Sequence, residues 1–148
     1  MNKFSFELES VLEIRKFEEE TAQSELAKAL AVETGIQNNL NAVAAQYART
    51  KESLKNNLDA QSYISSQQFF KVLDFQKEEL LKKLAEAKMM SEQKRKNLLE
   101  KMQKVQALEK MKKIELEKYK NDLQREEDND LDEINTIRYS ADVLRTEE

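Results

Sequence analysis

The chain has 148 residues, of which 36% are charged, one is glycine and none is proline, cysteine or histidine, and its formal net charge is −4. Without Cys or His it has no disulfide, thiol nucleophile or imidazole base, and it lacks the usual zinc ligands. A net acidic balance also argues against nucleic acid, which demands a basic footprint.

Almost nothing in the chain can stop a helix. Proline costs roughly 3 kcal/mol and glycine about 1 kcal/mol in a helix interior, and the remainder is rich in Ala, Leu, Glu, Lys and Gln. The composition therefore predicts an all-α protein with a thin apolar seam, because a hydrophobic fraction of 39% cannot fill a thick core. Any function must come from helix surfaces.

The first helix is expected over about residues 4–58. The opening MNKFSFELES has neither a basic n-region nor a continuous apolar stretch, and no run approaches the ~20 apolar residues needed to cross a bilayer. A cytoplasmic location with no transmembrane segment follows as the expectation. Along this helix Leu26, Leu30, Ile36, Leu40, Val43, Tyr47, Leu54 and Leu58 recur every three or four positions, as in a coiled-coil seam. Gly35 reads as a tolerated interior residue.

At 59–65 the periodicity slips and Ser, Asn, Asp and Gln cluster, which marks an apex. Ser65 followed three residues later by Gln68 has the spacing of a capping box. The second helix is then expected over about 66–145, with a seam of Phe69, Leu73, Leu80, Leu84, Ala87, Leu98, Met102, Val105, Leu108, Met111, Leu116, Tyr119 and Leu123. Phe69, Phe70, Val72, Leu73 and Phe75 form a patch too wide for one seam, since successive helical residues point about 100° apart. Some of these rings should be exposed, whether they cap the apex or meet a partner.

Charge supports an antiparallel hairpin independently. For a turn near Tyr63, partners should have numbers summing to about 125. The basic stretch 94–113 then faces a segment carrying Glu13, Glu18, Glu19, Glu20 and Glu25. The same rule sets Leu26 by Leu99, Ile36 by Met89 and Phe17 by Leu108. A monomeric long two-helix antiparallel coiled coil is the predicted fold, as one domain over 1–148. Residues 122–133 have no opposite number, so the second helix should run past the first, carrying an acidic belt and then Leu131, Ile134, Ile137, Val143 and Leu144. The basic stretch reads as a solvated face. The carboxylates show no metal or acid–base spacing, and no catalytic site or cofactor is expected.

The opening pattern Phe4, Phe6, Leu8, Val11, Leu12, Arg15, Glu19 and Ala22 resembles the start of the FliJ family, small coiled-coil proteins of the flagellar export apparatus. Gln67-Gln68-Phe69-Phe70 with Leu73 is similar to the segment that begins that family's second helix. The resemblance implies a fold like the central stalk of rotary ATPases and a non-enzymatic role in flagellar type III protein export, hence in motility and chemotaxis.

Its implied partners are the hexameric flagellar export ATPase, the export-gate membrane protein FlhA and export chaperones. Its implied place is the cytoplasm, peripheral at the inner-membrane base of the flagellum. By position Phe69, Leu73, Tyr47 and Leu40 match the gate contacts near the apex. At the terminal end Phe4, Phe6, Leu8, Leu131 and Ile134 are candidates for the ATPase. Three other readings stay open: a structural coiled-coil spacer, a membrane-surface amphipathic helix, for which the basic second arm is the only argument, and the equivalent stalk of a virulence type III secretion system.

Overall fold

A computed structural model describes residues 3–56 and 59–147. Two helices account for nearly all of it: α1, Glu9–Asn56, and α2, Ala60–Thr146. No strand occurs among the described residues, and the fold is an all-α helical hairpin.

The first helix starts later than the residue pattern alone suggests. Residues ahead of it form a turn in which the Glu9 amide donates to the Phe6 carbonyl at 3.1 Å, and the Leu12 amide to the Leu8 carbonyl at 2.8 Å. Glu9 then sits in the first turn, where a carboxylate complements the helix dipole. Gly35 lies inside α1 with ordinary helical backbone, and a Cβ placed there would meet nothing within 4 Å.

The apex also differs from the expectation. The second helix begins at Ala60, so 60–65 is helical, and Leu58 lies outside the described residues. The cap is Asp59, whose carboxylate accepts from the Gln61 amide at 3.4 Å while its carbonyl accepts from the Tyr63 amide at 3.0 Å. An aspartate at this position satisfies an amide that the helix start leaves unpaired. The Ser65 and Gln68 pair has capping-box spacing but stands within the helix.

Contacts group the residues into two compact units, Phe17–Met102 and Met1–Lys16 with Gln103–Glu148. In the first, α1 and α2 pair antiparallel around the turn. Half-buried or buried positions of α1 include Ala22, Leu26, Ala29, Glu33, Ile36, Leu40, Val43, Thr50 and Leu54. Those of α2 include Phe70, Leu73, Leu80, Leu84, Ala87, Ser91, Lys94, Leu98 and Lys101. Both sets follow steps of three, four or seven, the seven-residue repeat of a left-handed coiled coil.

Polar residues occupy several seam positions, and each has a partner. Ser91 is 2% exposed, with its hydroxyl 3.0 Å from the Ala87 carbonyl and 3.1 Å from a Glu33 carboxylate oxygen. Having one proton, it donates to one of them at a time. The Thr50 hydroxyl donates back to the Gln46 carbonyl at 2.9 Å. Lys94 pairs with Glu25 at 3.2 Å and Lys101 with Glu18 at 3.7 Å, one heptad apart on both helices.

These pairs confirm the charge complementarity but revise the register. Lys94 meets Glu25, roughly a turn and a half nearer the N-terminus than a turn at Tyr63 would place it. Consequently Leu99 is 55% exposed and Met89 67% exposed, so neither pairs with Leu26 or Ile36 as expected. The seam runs instead through Ala87, Ser91 and Leu98. Phe17, expected inside, is 69% exposed.

In the second unit, Phe6, Leu12 and Val105 are buried, at 6%, 1% and 5% exposure. The ring of Phe4 stands 5.6 Å from that of Tyr119. Lys112 pairs with Glu9 at 2.8 Å and Lys16 with Glu109 at 3.8 Å, so these segments too are antiparallel. Met111, expected in the seam, is 44% exposed. Within this unit every described residue of α2 beyond Leu123 is exposed, as expected of a helix that outruns its partner.

Candidate functional site

The apolar patch near the turn lies within the unit Phe17–Met102. Its breadth has the consequence expected of it: Phe75 is 65% exposed, Val72 51% and Phe69 39%. Leu73 is 1% exposed and belongs to the seam. The seam ring is Phe70 rather than Phe69, its centroid 4.4 Å from that of Tyr47 with the planes 38° apart. Tyr47 is itself partly open to solvent and Leu40 is half-buried.

Leu40, Tyr47 and Leu73 come together with Val43, Ala44, Asp74, Lys77 and Leu81 around a surface cavity of about 530 Å3. Phe69 is not among its lining residues. A second cavity of about 410 Å3 is lined by Asn39, Ala42, Val43, Gln46, Phe75 and Leu80, among others. The local sequence explains both. Residues 41–48 of α1 read NAVAAQYA, so small side chains surround Val43 and leave space beside the larger residues of α2. These alanines are exposed beside the seam, and their short side chains cover little of the groove between the helices.

A third cavity, of about 730 Å3, adjoins the turn and is lined by Lys51, Leu54, Lys55, Asp59, Ala60, Tyr63 and Ile64. The side chains of Tyr63 and Ile64 are 58% and 54% exposed. The turn end therefore presents rings, aliphatic side chains and hollows in one region. Such surface suits burial against another protein.

The terminal candidates divide into two kinds. Phe6 is buried, Leu8 is half-buried and Phe4 leans on Tyr119, so these three pack within their own unit. Leu131 and Ile134 are 58% and 46% exposed. Ile137, Tyr139 and Leu144 are more exposed still. Among the described residues no group of His, Cys, Asp or Glu is arranged to hold a metal ion, and no helix is long and apolar enough to cross a membrane.

Sequence reasoning missed the polar members of the seam, Glu33 and Ser91. The signal was available, since both fall on the three-four alternation once the heptad is continued through non-apolar residues. It also chose Phe69 over its neighbour Phe70, a difference of about 100° around the helix.

The class defined by this geometry is an all-α, two-helix antiparallel hairpin. The family model described as the flagellar FliJ protein matches residues 4–143, and the chain belongs to that family. It is thus related to flagellar protein export. Neither a search of curated proteins nor one of solved structures gives a match.

Proposed function

We propose that this protein is a non-enzymatic, stalk-like component of the flagellar type III export apparatus, binding the hexameric export ATPase and the gate protein FlhA and coupling the two during export. The observation that carries this reading is the apolar surface near the turn. Phe69, Val72, Phe75, Tyr63 and Ile64 lie open to water, a costly arrangement unless a partner covers them. Family membership directs the choice of partner to FlhA. The exposed part of α2 beyond Leu123 serves the ATPase in this reading. It acts in the cytoplasm, peripheral to the membrane that holds the gate.

The test is co-purification of the tagged chain with the export ATPase and with detergent-solubilised FlhA. Phe69→Ala with Phe75→Ala is expected to weaken FlhA binding at least about tenfold, since two partly buried rings at an interface together contribute more than 1.4 kcal/mol. ATPase binding should not change. Retention of neither protein by the native chain would leave a structural spacer as the function.

A further inference from the structure

Polar contacts join α1 to α2 within the unit Phe17–Met102: the Ser91 hydroxyl on a Glu33 carboxylate oxygen at 3.1 Å, Lys94 with Glu25 at 3.2 Å and Lys101 with Glu18 at 3.7 Å. They do not weigh equally on register. An antiparallel pair built on a seven-residue repeat has competing alignments one heptad to either side, in which the number of each facing residue changes by seven.

The two ion pairs lie a heptad apart on both helices, so a slide exchanges partners rather than abolishing them. One direction sets Lys101 by Glu25 and Lys94 by Val32, and the other sets Lys94 by Glu18 and Lys101 by Val11. Glu33 and Ser91 have no such substitute. One slide places Glu33 by Leu98 and Ser91 by Leu40, the other Glu33 by Leu84 and Ser91 by Leu26. All four are leucines of the seam, buried or half-buried. Ser91 keeps its 3.0 Å contact with the Ala87 carbonyl in any register, because that contact lies within α2. The cost therefore falls on Glu33, a half-buried carboxylate that loses its hydroxyl donor and faces a leucine. The turn does not settle the alignment by itself. Moving it three or four residues along the chain slides the pairing by a heptad, and Ser62, Ser65 and Ser66, close after Asp59, are of a type that turns accept.

We infer that Glu33 and Ser91 are the positioning residues that set the register of this unit, and that through it they assemble the cavity near the turn. Tyr47 meets Phe70, and lines the cavity with Leu40 and Leu73, in this alignment alone; a heptad slide sets Tyr47 by Lys77 or Tyr63 instead. Ser91 lies about 27 Å of helix from Leu73, at about 1.5 Å per residue, so a contact remote from the site decides which side chains meet there. This holds whichever partner the cavity receives.

The test reads register with pairs of thiols, which the absence of native cysteine allows, joined by a short bifunctional reagent at low protein concentration. Thiols at Glu18 and Lys101 report the alignment described, while Glu25 with Lys101 and Glu18 with Lys94 report the two slides. With Glu33 and Ser91 present, the first pair should link at least about tenfold more than either other pair, the discrimination that a hydrogen bond to a charged group provides. Glu33→Leu with Ser91→Leu should bring one slid pair to within about threefold of the first, while the thermal midpoint stays level or rises, because apolar side chains replace a polar pair in the seam. A merely structural contact would lower the midpoint and leave the register alone.

Glu33→Gln, whose amide oxygen still accepts from the Ser91 hydroxyl, should keep the native preference. Lys94→Gln, read with the pairs at Lys101, should keep it too, since only an ion pair is lost. Glu33→Ala with Ser91→Ala removes the polar groups without adding bulk, and should lose the preference even where the leucines disturb folding. Native preference in both double variants would overturn the inference. Its loss in Lys94→Gln alone would assign the register to the ion pairs instead.

Discussion

Leu73→Ala separates the structural from the exposed part of the patch near the turn. Leu73 is 1% exposed, so truncation removes a fully buried side chain, and core Leu→Ala changes cost about 2–5 kcal/mol. The site lies beside a surface cavity of about 530 Å3 that Leu73 itself lines, so water can fill part of the space created. That places the cost in the lower half, at about 2–3 kcal/mol. For a chain of this size each kcal/mol moves the midpoint by roughly 2–4 °C, so the thermal transition followed by circular dichroism should fall by about 5–10 °C. Phe69→Ala, at a ring already 39% exposed, should cost less than about 1 kcal/mol. A Leu73→Ala protein melting within about a degree of the native one, or a Phe69→Ala protein melting lower than Leu73→Ala, would show that the seam is misassigned. Loss of partner binding in Leu73→Ala therefore needs this melt beside it before it can be read as a lost contact.

Gly35→Ala should stabilise the protein by about 0.5–1 kcal/mol, seen as a higher urea midpoint with an unchanged slope, because the helical backbone accepts a Cβ that meets nothing within 4 Å. The chain has no native cysteine, so thiols placed at Glu33 and Ser91 can be tested with a short bifunctional thiol reagent at low protein concentration. They should link within one chain, whereas thiols at Leu26 and Leu99 should not, and the opposite result would restore a turn near Tyr63. Lys94→Glu should destabilise by about 0.5–1 kcal/mol by facing Glu25 with a like charge, and adding Glu25→Lys should recover most of that loss. A cycle showing no coupling at low salt would mean that the pair carries nothing.

The all-α hairpin was legible because composition and periodicity agree on it: a chain without proline, with apolar residues every three or four positions and opposite charges on facing stretches, has few alternatives. The exposed terminal part of α2 was legible for a related reason, since residues 122–133 exceed what the first arm can reach. Register was not. Counting from an apex at 59–65 assumed that polar Ser, Gln and Asp mark the break, yet Asp59 alone supplies the cap and the polar residues after it continue the helix. An error of a few residues at the apex moves every partner, which is why Leu99 and Met89 were assigned to a seam that they face away from. Hydrophobicity made the error hard to detect, because it passes over Ser91, Glu33, Lys94 and Lys101, the residues that keep the repeat in phase.

Those polar members give the register a physical basis. An antiparallel pair of helices with only aliphatic knobs can slide by a heptad at little cost, since Leu against Leu is similar in each position. Here a shift by a heptad would separate Ser91 from Glu33 and would re-form only one of the two ion pairs, Lys94 with Glu18 or Lys101 with Glu25, leaving the other lysine and glutamate without each other. The small neighbours Ala22, Ala29 and Ala87 give up apolar burial in the same stretch, so the seam of this unit exchanges some stability for uniqueness. Nearer the turn, the small side chains around Val43 leave open the space that becomes the cavity lined by Leu40, Tyr47 and Leu73. A seam that is incomplete at the turn and a helix face that is bare beyond Leu123 are both gaps in the protein's own packing. Surface left uncovered by a two-helix fold is what a partner can cover.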